Sequence, residues 1–337
     1  MTKGTKIFRI TICVLLALNI LWSGFWGAGF ISYAKNMILT NEYGIWVKGV
    51  SVTTANQDDI LGDGKVSYNS ARNTLIFDNA FIEADSAIVQ SEIDLRIKLI
   101  GENKFLCKDS EYIPAIYAAD YYHNKDLSFE GDGSLTIEFQ NISSNMQGIL
   151  AADLTIGSDI TIITSDCENI VNGIVCDSSL IIADGATVIV HNGVATHGAA
   201  VRVRGNTMME EGTALNISVK SGAIETCRGL SVNGDLIMGN NTTLDVSFED
   251  ESASTDECIR VTGVLDVGAD ATLTASAKNV PAIECFGAIK FGKGATVSAS
   301  TAAEMADIFC YGAVVNYGAN VNAEIESIAG ERDKVVR

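Results

Sequence analysis

The chain has 337 residues, with 31 Gly, only 2 Pro, few aromatics and a formal net charge of −19. A surface this acidic repels nucleic acid and anionic membrane at long range, which excludes both as electrostatically driven partners. Val, Ile, Thr, Ser and Asn dominate the middle of the sequence, a composition for short strands and tight turns rather than helices.

Residues 1–34 read as a signal peptide. Lys3, Lys6 and Arg9 precede an uncharged stretch from Ile10 to Ala34, and the small residues Ser32 and Ala34 mark cleavage after Ala34. The alternative is an uncleaved signal anchor, because the uncharged run is long enough to span a bilayer. Either way the body is expected to be secreted or held at the cell surface, and membrane contact is confined to this segment.

Residues 35–94 read as an N-terminal β cap. Ile45–Val47, Val50–Val52, Lys65–Tyr68 and Thr74–Phe77 have strand character, and a turn-rich connection lies between them. Asp58, Asp59 and Asp63 in that connection are the candidate calcium ligands. They lack the regular spacing and closing Glu of an EF-hand, and ordinary turn chemistry explains the same residues.

From residue 95 to 325 a unit repeats. Its middle strand starts at Ile97, Leu127, Leu154, Leu180, Thr207, Leu236, Leu265, Ile289 and Val315. Steps of about 24 to 30 residues mark a solenoid, and period-two alternation inside each unit makes it a solenoid of strands. Each copy has three short strands, exemplified by Ile174/Cys176, Leu180/Ile182 and Val188/Val190. Alternate side chains of a strand share one face, so these columns point inward together. The expected fold is all-β: a right-handed parallel β-helix of about nine coils with three strands per coil. Thr207 is the one plainly polar residue in the inward columns. One-residue gaps are needed before Leu154 and Val315. Residues 326–337 form a charged tail that would guard the C-terminal end.

Cys176, Cys285 and Cys310 fall in one inward column and read as small core residues rather than disulfide partners. No Cys or His spacing suggests zinc. The three His are scattered, and neither a nucleophile elbow nor a phosphate loop is present.

Three features outside the core carry candidate chemistry. The connections between the last strand of one coil and the first strand of the next vary most, and residues 249–257 make the most acidic of them. The outward positions of the first strand hold Asp177, Arg202, Arg204, Asn233, Arg260, Glu284, Phe286 and Tyr311. Arg can grip uronate carboxylates bidentately, and aromatic rings can stack on sugars. The insertion from Asp120 to Asp126 adds Tyr121, Tyr122 and His123, amphipathic groups suited to carbohydrate. The competing readings are ordinary surface decoration and a loop folded back over the cap. Asp177 with Arg202 and Arg204 makes a thin match to a lyase's acid and base, and a two-carboxylate glycosidase depends on distances that a sequence does not give.

The segments Trp46–Asn56, Asp59–Tyr68 and Asn73–Leu75 resemble the opening of a family of bacterial exported carbohydrate-binding-domain proteins with pectate-lyase-like β-helices. Units such as Leu127–Ile137 resemble that family's coils, and the resemblance covers most of residues 44–325. It implies polysaccharide binding without demonstrated cleavage, with no required cofactor and calcium as the one candidate, and it assigns no binding residues. The leading expectation is therefore a non-catalytic protein that binds polysaccharide, such as an acidic plant cell-wall glycan. A calcium-dependent pectate-type lyase and a structural or adhesion protein are the alternatives.

Overall fold

A computed structural model describes residues 41–108, 112–140, 145–164, 170–183, 185–193, 197–220, 227–248 and 257–329. The signal segment, residues 249–256 of the acidic loop and the tail from 330 onward lie outside the described residues. Asn41–Tyr43 with Thr53–Ala55 belong to one unit, in which the Thr54 N–H donates to the Asn41 carbonyl at 3.0 Å. The main body comprises residues 44–52 and 56–337.

The main body is a right-handed parallel β-helix. Its strands form three sheets, A, B and C, of 12, 11 and 10 strands. Each coil contributes one strand to sheet B, then one to C, then one to A, and successive coils pair in parallel. The alternating sequence drives this. Ile174/Cys176, Leu180/Ile182 and Val188/Val190 are all buried, while Ile181 and Ile189 between them are half-buried and Val175 is buried as well. Like residues stack on like: Ile149, Ile174, Val201, Leu230, Ile259, Ile283 and Ile308 pair in register along sheet A. Because every strand pairs on both sides, unpaired edges are confined to the ends of the stack.

The stack begins earlier than the repeat alone indicates. Thr74–Asp78, Phe81–Ala84 and Val89–Ser91 pair in parallel with the following coil, so they form coil 1 inside the segment read as a cap. Counting from there, coil 10 ends the stack with Val314–Asn316, Asn320–Asn322 and Ile325–Ser327. Antiparallel strands close the first end: Ile45–Val47 lie against Val89–Ser91, and Val66–Asn69 against Thr74–Phe77.

Two registers differ from expectation. Leu127 pairs with Leu95, not Ile97, which pairs with Phe129. At the other end Val314 pairs with Ile289, and Val315 pairs with outward-facing Lys290. The turn after Cys310 has the same length as the turn after Cys285, so no gap is needed there. Val315 and Tyr317 consequently lie outside, with Tyr317 64% exposed. The first strands of the central coils also start earlier than the alternation suggested, at Asn145, Ile170, His197 and Cys227, which shortens the variable connections.

A column of small residues precedes the first inward position of sheet A: Gly148, Gly173, Ala200, Gly229 and Cys258. There the strand passes so close to sheet C that a Cβ on Gly173 would collide with Val190 Cγ1, and one on Gly229 with Val246 Cγ1. Ala200 is accommodated with no exposure.

Candidate functional site

The outward positions of sheet A make two parallel rows along the stack. In the first, Tyr117, Leu150, Val175, Arg202, Ser231, Arg260, Glu284 and Phe309 are successive register partners. The second row lies two residues further along each strand and contains Asp177, Arg204, Asn233, Thr262, Phe286 and Tyr311. Backbone bonds such as Arg204 N–H to Cys176 O and Tyr311 N–H to Cys285 O continue the same register through it. At about 4.8 Å per coil, Asp177 and Tyr311 are five coils, or roughly 24 Å, apart. All eight outward residues singled out from the sequence therefore share one face. They do not form one site; two clusters emerge.

The first cluster gathers around the 120–124 loop. Asp120 starts a tight turn in which its N–H donates to the His123 carbonyl at 2.9 Å. Its carboxylate accepts the N–H groups of Tyr122 and His123 at 2.7 and 2.8 Å and pairs with Lys125 Nζ at 2.6 Å. An Asp at the head of a turn does this because its short side chain reaches the backbone two residues on. The Lys125 ammonium, followed by those two N–H donors, holds the Asp120 carboxyl well below the usual carboxylate range. The loop is thus preordered, and it holds Tyr121 and Tyr122 outward at 92% and 79% exposure, edge to face at 4.9 Å. Asn124 donates to Asp177 Oδ2 at 2.6 Å, which ties the loop to sheet A, and Arg204 pairs with Asp177 Oδ1 at 3.0 Å. Tyr117, Asp120, Tyr121, Tyr122, His123, Asn124, Ala152, Asp177 and Ser178 line an open cleft of about 480 Å³.

The second cluster lies on coils 6 to 9. Arg228 pairs with Glu257 at 3.4 Å and Arg260 with Glu284 at 3.7 Å. Burial, then the neighbouring Glu257 charge, pushes the Glu284 carboxyl above the ordinary glutamate range against the opposing pull of Arg260. The Arg260 guanidinium also sits over the Phe286 ring, 4.9 Å from its centroid. Tyr311 stacks on that ring at 4.6 Å and 7°, and Phe309 meets Tyr311 edge-on at 5.1 Å.

Arg202 and Asn233 lie between the clusters. Of Arg202, Arg204 and Arg260, Arg202 is the one without an ion pair to a carboxylate among the described residues. The sequence pattern found Tyr121, Tyr122 and Asp177 as separate features, and the fold brings them to one cleft. It gave no sign of Asn124 as the link between them, nor of the Arg228–Glu257 pair, because those contacts cross from one coil to another.

Of Asp58, Asp59 and Asp63, the last two serve the turn that contains them. Asp59 Oδ1 accepts the N–H groups of Gly62 and Gly64 at 2.9 and 3.0 Å, and Asp63 Oδ1 accepts that of Lys65 at 2.9 Å. Among the described residues no three His, Cys, Asp or Glu side chains converge on a common point. Cys107, Cys176, Cys258, Cys285 and Cys310 are buried free thiols. Burial pushes the Cys107 thiol up to about 12, whereas a hydrogen bond with the Cys285 thiol pulls the Cys310 thiol down.

Comparisons with protein-family models, curated proteins and solved structures find no match to this chain.

Proposed function

We propose that the protein is exported and binds polysaccharide without cleaving it, along the outward rows of sheet A. The observation that supports this most is the alignment of the two rows with the preordered tyrosine loop. A flat, parallel surface with a regular spacing of about 4.8 Å suits an extended polymer that touches several coils at once. The loop contributes two exposed rings on a backbone that Asp120 already holds, so less ordering cost falls on binding. Non-catalytic binding is preferred over a lyase because Asp177 and Arg204, the residues nearest to an acid and base pair, are engaged with each other. Calcium, if used, has no assigned ligands in this reading.

Affinity electrophoresis through gels containing pectin, xylan or a soluble cellulose derivative tests the binding. Retardation in at least one gel is expected, and free migration in all of them would sink the proposal in favour of a structural or adhesion role. Incubation with polygalacturonate and calcium, followed at the absorbance of unsaturated products, tests the non-catalytic part. Sustained turnover would overturn it.

A further inference from the structure

We infer that the cleft beneath the 120–124 loop is a subsite for an uncharged sugar residue; this rests on the polysaccharide-binding reading above and narrows it. The argument starts from charge. Two carboxylates line the cleft, Asp120 and Asp177, and each already has a cation: Lys125 at 2.6 Å and Arg204 at 3.0 Å. Those four charges sum to zero, neither the lysine nor the arginine is free to meet an acidic ligand, and Asp94 and Asp126 lie close enough to act on Lys125 as well. A uronate carboxylate placed here would be desolvated beside two carboxylates, which costs free energy that nothing in the cleft returns.

A neutral pyranose matches what remains. A carboxylate offers about four lone-pair directions, and Asp177 uses one oxygen for Arg204 and the other for Asn124, so both oxygens can still accept a sugar hydroxyl. Ser178 and His123 add groups that can donate or accept. Tyr121 and Tyr122 supply rings that are almost fully exposed and spend no face on a neighbouring coil. The apolar C–H face of a sugar can pack on such a ring while its hydroxyls turn toward the carboxylates. The cleft volume of about 480 Å³ lies within the ordinary range for a small-molecule site. Because the ligand carries no charge, binding here is insensitive to salt.

The test is calorimetric titration of the full chain with cellohexaose, xylohexaose and mannohexaose on one side and hexagalacturonate on the other, at low and high salt. Wild type is compared with Tyr122→Ala, Tyr121→Ala and Arg202→Ala; the two tyrosines are too exposed for their loss to unfold the chain. The expected result is binding of at least one neutral hexasaccharide with the same affinity at both salt concentrations. Tyr122→Ala should weaken it roughly tenfold, and Arg202→Ala should weaken it by less than Tyr122→Ala does. Preference for hexagalacturonate, lost at high salt and in Arg202→Ala but retained in Tyr122→Ala, would overturn the subsite while leaving polysaccharide binding intact. Absence of binding to every hexasaccharide, together with free migration in all the glycan gels, would remove both.

Discussion

Arg260 covers one face of the Phe286 ring, with its guanidinium carbon 4.9 Å from the ring centroid. Coil order puts Tyr311 on the opposite face, stacked at 4.6 Å, so Phe286 has no open face to offer a ligand. Its role is to fasten coils 7, 8 and 9 together across the outside of sheet A. Phe286→Ala is expected to cost about 1–3 kcal/mol of stability from the lost cation–π and stacking contacts plus buried area, read as a lower urea midpoint. Glycan affinity should change less than twofold on the scale of about 0.4 kcal/mol. A large loss of affinity with unchanged stability would return Phe286 to the binding surface.

Thr207 is fully buried between Leu180 and Leu236, and its hydroxyl has no hydrogen-bond partner. An unpaired buried hydroxyl costs about 1–3 kcal/mol, and valine has nearly the same shape without it. Thr207→Val should therefore raise the urea midpoint with no change in slope, by an amount equivalent to about 1 kcal/mol or more. A lower midpoint would mean that the hydroxyl has a partner in solution.

The small-residue column before sheet A sets a steric limit. Gly229→Ala would drive a methyl into Val246 Cγ1 and is expected to destabilise by about 1–3 kcal/mol. Ala200→Gly in the same column removes a methyl instead, and should cost about 0.5–1 kcal/mol through backbone entropy and lost packing. Equal effects from the two changes would show that the coil relaxes around the added methyl.

Glu284 gives a pH dependence with a definite sign. Its carboxyl is raised in the folded chain by burial and by Glu257, with Arg260 and Arg228 pulling the other way. Below the unfolded glutamate value both states are protonated and the group contributes nothing to the slope. Between that value and the raised folded one, the native state holds the extra proton, so stability falls as pH rises through this window. Chemical denaturation across the window should show that decline in wild type and a flatter profile in Glu284→Gln. Identical profiles would mean that other carboxyls carry the dependence.

The inward columns were legible in the sequence because alternation at period two has a direct structural meaning, and Ile174, Val201, Leu230 and Ile259 align in it without ambiguity. Coil 1 was not, because Leu75 and Phe77 follow a hairpin whose antiparallel strand, Val66–Asn69, has the same alternation. Nothing local distinguishes a strand that pairs with a cap on one side from one that pairs with a cap on one side and a coil on the other. The register that starts the last middle strand at Val315 slips by one residue because the terminal coil is half covered, with Val314 itself only half buried, which leaves little contrast between the two faces. At the site, the row of outward residues could be read from spacing. Their pairing could not: whether Arg204 meets Asp177 or a ligand depends on side-chain reach between coils. That pairing is what turns the proposed ligand from acidic to neutral.

The uniform pitch makes separation along this protein a countable quantity. Removing one whole coil, such as residues 206–234, would leave the columns on either side able to pair, since Val203 and Val232 occupy equivalent places in successive turns. The tyrosine loop and the Arg260–Phe286–Tyr311 stack would then stand one step closer, each otherwise unaltered. Distance between surface elements can therefore be set in whole coils, independently of what those elements are.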